Sequence, residues 1–295
     1  MELNRRDFLK GTLAAGALAA TGTALAACSP SSGGAEGGVA ASSSDGAAGV
    51  LTADNYREMK WSFEIPPEPV ADSDIVETYT HDIVVVGAGM AGLCTAVSAA
   101  EQGADVIVFS ASSKPISRGG SNHAIGSKYQ KAKGIDYTPE TAREIVKAEQ
   151  TAGTYLMDKK KWERWINHSA ESIDWTIDHM EKKGLKCCLE PGYYDPFGAL
   201  YGAPLEAQAY ADIFTDDLGG EIHYKTVAQY LVREDDNTGR VSGVVAQRED
   251  GSYVKYVANK AVGLATGNFS KNPDMMAKYS PWAWENFKDS LTFGD

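Results

Sequence analysis

The stretch Gly87-Ala-Gly89-Met-Ala-Gly92 is where residue type and spacing most directly imply chemistry. Glycines in a G-x-G-x-x-G arrangement have separate jobs when a strand precedes them and a helix follows. Gly87 permits a tight turn, Gly89 lets a pyrophosphate come against bare backbone, and Gly92 lets the helix lie close to the strand. The first turn of that helix then offers free amides and the positive end of its dipole to the phosphates. The chemistry implied is the holding of a dinucleotide.

The flanking pattern supplies the elements that would position this turn. Asp82-Ile-Val-Val-Val-Gly87 is a continuous β-branched run, as a parallel strand covered on both faces requires. Residues 93–102 read as a helix with Leu93, Ala96, Val97 and Ala100 on one face, closed at Gly103. Asp105-Val-Ile-Val-Phe109 is a second buried strand, so the succession is a βαβ unit. Downstream, the spacing predicts helices over 139–152 and 159–183, the second with Trp162, Ile166, Ile173, Ile177 and Met180 as its core stripe. Another helix is predicted over 205–218. Short strands follow at 221–225, 228–233, 241–248, 253–257 and 260–265, with turn signals at Asn237-Thr-Gly239 and Asp250-Gly251. Residues 110–133 and 190–204 lack a regular period and read as loops. The fold class expected is α/β, a Rossmann-like three-layer domain with a β-meander.

Which dinucleotide is bound turns on the end of the second strand. Dinucleotide binders commonly place Glu or Asp there to accept hydrogen bonds from a ribose hydroxyl, and this chain has Ser110. Ser110, Ser112, Lys114 and Arg118 would suit the 2′-phosphate of NADP, which leaves an NADP-dependent dehydrogenase open as an alternative.

Two later motifs point to FAD. Arg118-Gly119-Gly120-Ser121-Asn122 resembles the Gly-Gly-Asn-Ser type loop that runs under the isoalloxazine and pyrophosphate in the fumarate reductase and succinate dehydrogenase flavoprotein family. Lys260-Ala-Val-Gly-Leu-Ala265-Thr266-Gly267-Asn268-Phe269 resembles that family's strand ending Ala-Thr-Gly-Gly-Phe. Asn268 stands in place of the second glycine, as a residue that tolerates positive φ. The order and spacing of the three motifs, with a meander ahead of the last, resemble the N-terminal half of that family over residues 80–280. Its urocanate-reductase and ketosteroid-dehydrogenase-like branches are included in the likeness.

The resemblance implies FAD as cofactor. It implies contacts from Gly87, Gly89, Ala91 and Gly92 at the first turn and from Ser110 after the second strand. Gly119, Gly120, Ser121, Asn122 and Gly126 would contribute from the glycine loop, and Thr266 and Gly267 from the last motif. Val227 falls where the family's meander passes main-chain groups to the adenine. Covalently flavinylated members carry a histidine that aligns nearer Ser121 than His123, which implies a noncovalent flavin here and a loop or substrate-side place for His123. The activity implied is hydride transfer from reduced flavin N5 to an activated double bond, in a reductase of an unsaturated organic acid or similar acceptor. The catalytic residues of such enzymes lie in a capping domain and a C-terminal third, so no catalytic residue is assigned in this chain. Residues 79–280 are expected to be the N-terminal part of the FAD-binding domain and 281–295 the start of the cap, truncated in a longer reading frame. The alternative is a non-catalytic FAD-binding or electron-carrying lipoprotein.

The first 28 residues are set apart from this domain. Arg5-Arg6, then Phe8-Leu9 and an Ala/Gly/Leu run to Ala27, have the layout of a twin-arginine export signal. That run is short and weakly apolar for a bilayer core of about 30 Å. Leu25-Ala26-Ala27-Cys28 resembles the lipobox of bacterial lipoproteins, with Cys28 as the lipid-bearing residue; an Ala-x-Ala cleavage beside an incidental cysteine is the alternative. A lipid on Cys28 would anchor the exported protein to the extracytoplasmic face of the membrane. Residues 29–78 are expected to be a disordered Ser/Gly/Ala-rich tether and linker.

The remaining composition excludes several partners. The net charge of -12 and pI near 4.9 argue against a nucleic acid. The histidines His81, His123, His168, His179 and His223 show no ligand spacing, and no Cys-x-x-Cys pair or Cys-x-x-Cys-His haem site occurs. No metal is expected. The electrons would come from a separate haem or membrane donor and pass to a small-molecule acceptor.

Overall fold

Apolar strands that must be covered on both faces organise the domain. A computed structural model describes residues 60–117, 121–135, 138–153, 155, 158–189, 199–202 and 207–287. Strand β1 (Ile75–Val86), helix α1 (Met90–Glu101) and strand β2 (Val106–Phe109) form the βαβ unit. β1 and β2 pair in parallel, from Ile83 opposite Val106 to Val86 opposite Phe109. The alternation along β1 sends side chains to two cores. Val85 joins Leu93, Ala96 and Val97 of α1, whereas Val84 and Val86 join Phe109 and the meander residues Val244, Ala246, Val254 and Tyr256. This is the helix, sheet and meander layering expected of the fold class.

The meander is β7 (Thr226–Arg233), β8 (Val241–Arg248) and β9 (Tyr253–Leu264), with β6 (Glu221–His223) ahead of it. The six-stranded sheet has the order β6-β2-β1-β9-β8-β7. β6, β2, β1 and β9 run parallel, and β7, β8 and β9 are antiparallel neighbours. β9 is one strand where the sequence predicts two. Its first half is the last arm of the meander, its second half belongs to the parallel sheet, and β1 pairs with it from Ile75 to Val86. An irregularity between His81 and Ile83 absorbs the Ala258-Asn259 interruption, where Lys260 Nζ lies 2.9 Å from Asp82 Oδ2. β1 is correspondingly longer than the apolar run 82–87. The linker expected to reach residue 78 ends earlier, since Trp61 is buried and β1 begins at Ile75.

A second group of elements is joined to this sheet. Helix α2 (Lys128–Ala132) is followed by α3 (Pro139–Ala152) and α4 (Lys159–Lys182). Ile166, Ile173, Ile177 and Met180 of α4 are buried, as the stripe requires. Glu101 at the end of α1 accepts from the Trp175 indole at 3.1 Å and lies 2.7 Å from His179 Nε2, fastening α4 to the βαβ unit. Strands β3 (Ser121–His123), β4 (Cys187–Leu189) and β5 (Ala199–Gly202) form a small antiparallel sheet in the order β3-β5-β4. β3 and β5 fall in segments expected to be loops. Strands of three or four residues carry no period of their own, and their pairing is set by partners distant in sequence.

Helix α5 (Ala207–Asp212) runs on into a wider turn, Ile213–Asp217. The helix predicted over 205–218 is thus present but ends as a π-turn, which seats Phe214 against Gly220. The turn signal at Asn237 is a short helical turn, α6 (Glu234–Asn237). Helices α7 (Pro273–Tyr279) and α8 (Pro281–Phe287) follow β9. Cys94 lies on α1 beside the first core, where burial pushes its thiol up to about 11, so it serves packing. No helix among the described residues is long and apolar enough to cross a membrane.

Candidate functional site

The carboxyl ends of parallel strands are where a doubly wound sheet leaves a crevice. Here β1, β2 and β9 end at Val86, Phe109 and Leu264, and the chain after each end turns around one cleft of about 850 Å³. Gly87, Gly89, Met90 and Ala91 line it after β1. Ser110, Ala111, Ser112 and Ile116 line it after β2, and Ala265, Thr266 and Gly267 after β9. Thr226, Val227 and Ala228, at the start of β7, complete the lining. Backbone bonds fix these turns to one another: Gly87 N–H donates to Phe109 O at 2.7 Å, and Ala265 N–H to Val86 O at 2.8 Å.

The three glycines of the first turn differ in what holds them. Gly87 has φ +110°, and a Cβ there would come within 3.0 Å of Ala265 O. Gly92 has a helical backbone, but its Cβ would fall within 3.0 Å of Gly87 O. Its place is therefore the contact between helix and strand, and it is not a lining residue. Gly89 is different again. It has φ −86° and ψ 179° as the N-cap of α1, and a Cβ would meet only Ile116 O, at 3.9 Å. Among the described residues, neither backbone strain nor packing requires glycine at 89. The open space there leaves room for a ligand to come against the backbone, and the free amides of the first turn of α1 are the groups a pyrophosphate would meet. The cleft thus fits a dinucleotide on its own geometry.

The end of β2, where a ribose contact was expected, carries no charge. Ser110 is buried at the end of β2, with its Oγ 2.8 Å from Ser112 Oγ, and Ser112 Oγ donates to Lys114 O at 2.8 Å. Ser110 O accepts from Thr226 N–H at 2.9 Å, which ties this hydroxyl pair to β7. No Lys or Arg is among the described residues lining the cleft; Arg118, one of those that would suit a 2′-phosphate, lies outside the described residues.

Of the residues expected to contact a cofactor, Gly87, Gly89, Ala91, Ser110, Val227, Thr266 and Gly267 come together on this cleft. Ser121 and Asn122 lie in β3, paired with Tyr201 and Leu200, and Gly126 follows with φ +81°. Gly126 is not among the described residues lining the cleft. Arg118, Gly119 and Gly120 lie outside the described residues, as do Cys28 and the export signal. Asn268 corrects an expectation. Its φ is not positive; Gly267 alone carries the left-handed turn, at +90°, while the Asn268 side chain accepts from Ser270 N–H at 2.9 Å. Sequence reasoning missed Ile116 and Thr226. Ile116 enters from an aperiodic loop through a parallel bridge to Gly89, which no local pattern announces. Thr226 follows Lys225, a non-glycine residue with φ +54°. No group of His, Cys, Asp or Glu that would hold a metal occurs among the described residues.

A doubly wound sheet with a glycine turn and a meander wall defines a dinucleotide-cofactor domain. The chain belongs to the FAD binding domain family, whose model matches residues 82–287, and the cofactor of that domain is FAD. Residues 2–22 match the signal sequence of the twin-arginine translocation pathway, which directs export across the cytoplasmic membrane. Vinyl phenol reductase of Lactiplantibacillus plantarum is 32% identical over 212 residues, covering 68% of this chain and 40% of that protein. Fumarate reductase (cytochrome) of Shewanella frigidimarina is 29% identical over 214 residues, covering 68% of this chain and 36% of that protein. The chain therefore spans less than half the length of these relatives. Among solved structures, 3-ketosteroid-Δ4-(5α)-dehydrogenase from Rhodococcus jostii RHA1, in complex with 4-androstene-3,17-dione, superposes with a TM-score of 0.59 at 26% identity. It covers 72% of this chain and 51% of that one.

Proposed function

We propose that this chain is the cofactor-holding part of an exported FAD-dependent oxidoreductase that reduces a carbon–carbon double bond in an unsaturated organic acid or similar acceptor. The observation that carries the reading is the convergence of Gly89, Ser110, Val227 and Gly267, from four separate segments, on one cleft. Vinyl phenol and fumarate, in the names of two relatives, each contain such a bond. FAD bound in the cleft supplies hydride from N5 of its reduced form.

The chain's own residues hold and orient it. Gly89 and Ala91 would bring backbone amides to the pyrophosphate, with Gly87 making the turn and Gly92 keeping α1 close to the strand. The Ser110 and Ser112 hydroxyls would lie on the ribose side, and the backbone at Val227 would receive the adenine. Thr266 and Gly267 close the cleft after β9. Ser121, Asn122 and Gly126 would extend the contact toward the isoalloxazine, as the resemblance to the flavoprotein family implies. A separate haem or membrane donor would supply the electrons, a reading supported by the word cytochrome in the name of the Shewanella frigidimarina relative.

The protein purified gently from its export host should show a flavin spectrum that dithionite bleaches and that fumarate or a vinyl phenol restores. A protein without flavin would overturn the reading altogether. A flavin that no unsaturated acceptor reoxidises would overturn the reductase and leave an FAD-binding lipoprotein. We further propose that Cys28 carries a lipid. A Cys28→Ser variant should then move from the membrane fraction to the soluble one, and unchanged fractionation would contradict the anchor.

A further inference from the structure

The segment Trp61-Ser-Phe-Glu-Ile-Pro-Pro-Glu-Pro-Val70 precedes the first strand, yet it is fastened at both ends. Trp61 is only 4% exposed. The Phe63 ring lies 5.7 Å from that of Tyr279, and Lys278 Nζ stands 5.3 Å from the Phe63 centroid while pairing with Glu64. The Ser62 hydroxyl donates to Asp274. All of these partners are on α7. At the other end, Val70 N–H donates to the Tyr230 hydroxyl at 3.0 Å, on β7. Between the two anchors stand Pro66, Pro67 and Pro69, whose fixed φ makes a stiff spacer.

The anchors are placed on the two elements that carry separate walls of the cleft. α7 is the first helix after Thr266 and Gly267, and Phe269 between them packs on Tyr279 with ring centroids 5.8 Å apart. β7 is the strand that opens with Thr226, Val227 and Ala228. A rod of set length joining these elements fixes how far apart the walls can move.

We propose that residues 61–70 are a strap that holds the Gly267 side and the Val227 side of the cleft at the spacing FAD requires. Strap docking and cofactor binding are then coupled: a docked strap tightens FAD, and bound FAD tightens the strap by the same factor. The strap is also the stretch of chain through which the export signal is joined to the domain, so cofactor occupancy is felt at the base of that connection. This rests on FAD occupying the cleft described above, and the experiment separates the two claims.

Amide hydrogen exchange of the full chain, with and without saturating FAD, reads both regions at once. FAD should slow exchange at the cleft backbone of residues 87–91 and, by roughly fivefold or more, at residues 61–64 and 70. In a Phe63→Ala, Lys278→Ala double variant, FAD affinity measured by flavin fluorescence quenching should weaken roughly tenfold. Protection of the cleft with no change in the strap would overturn the strap and leave the FAD site standing. Protection of neither would overturn both. Should the double variant fail to fold, the exchange result on the unaltered chain decides alone.

Discussion

A Gly92→Ala variant is expected to destabilise the flavin-free domain by about 3 kcal/mol, at the upper end of the usual cost of overpacking. Helix propensity alone predicts the opposite sign, since alanine in a helix is favoured over glycine by about 1 kcal/mol. Packing wins because the added Cβ falls within 3.0 Å of Gly87 O, a backbone atom held in the turn, and 3.3 Å from the Ala265 Cβ. Relief would require α1 to lift from β1 and uncover Leu93, Ala96 and Val97, which are buried against the sheet. Thermal unfolding followed by circular dichroism should show a midpoint roughly 6–12 °C lower, taking about 2–4 °C per kcal/mol for a domain of this size. A midpoint within about 2 °C of the parent would show that the contact between helix and strand is not what glycine serves at 92.

A Gly89→Ala variant, three residues away, is expected to do the reverse: leave folding nearly untouched and weaken FAD. The backbone there is one that alanine adopts freely, and the nearest neighbour of a Cβ is Ile116 O at 3.9 Å. Loss of a glycine N-cap and the stiffening of the unfolded chain each contribute about 0.5–1 kcal/mol and oppose one another. The methyl group would stand in the cleft where the pyrophosphate comes against backbone. A clash of about 1–3 kcal/mol corresponds to roughly a 5- to 150-fold rise in Kd. Flavin fluorescence titration beside thermal unfolding of the flavin-free form separates the two effects. An alanine variant that binds FAD as the parent does would remove the reason for glycine at this position.

The contrast between these neighbours bears on what was legible beforehand. The βαβ unit was readable because each of its strands is covered on both faces, which leaves an apolar run with no alternation to obscure it. α3 was readable residue for residue because Thr138 caps it, Pro139 opens it and Gly153 follows it. The division of labour among the glycines also follows from the spacing, and the structure places Gly92 in packing and Gly89 on the cleft as that spacing implies.

What could not be read is non-local. β3, β4 and β5 are too short to carry a period, and they acquire strand geometry only from one another. β9 was divided at Ala258-Asn259, yet the ladder to β1 runs on past them with an irregularity between His81 and Ile83. The strap falls within residues 29–78, expected to be a Ser/Gly/Ala-rich tether and linker, and only Tyr279, Lys278 and Tyr230 reveal that residues 61–70 are fastened. Asn268 was judged on its tolerance of positive φ, but the preceding glycine makes the turn and leaves the Asn268 side chain to bond Ser270.

A crystal structure of the flavin-loaded protein tests the central claim most directly. The account predicts adenosine beside Ser110 and Val227, the pyrophosphate against the amides at Gly89 and Ala91, and the chain at Thr266-Gly267 closing over the ligand. Clear density for FAD elsewhere on the molecule, with the cleft between Gly89, Val227 and Gly267 filled only by solvent, would contradict it.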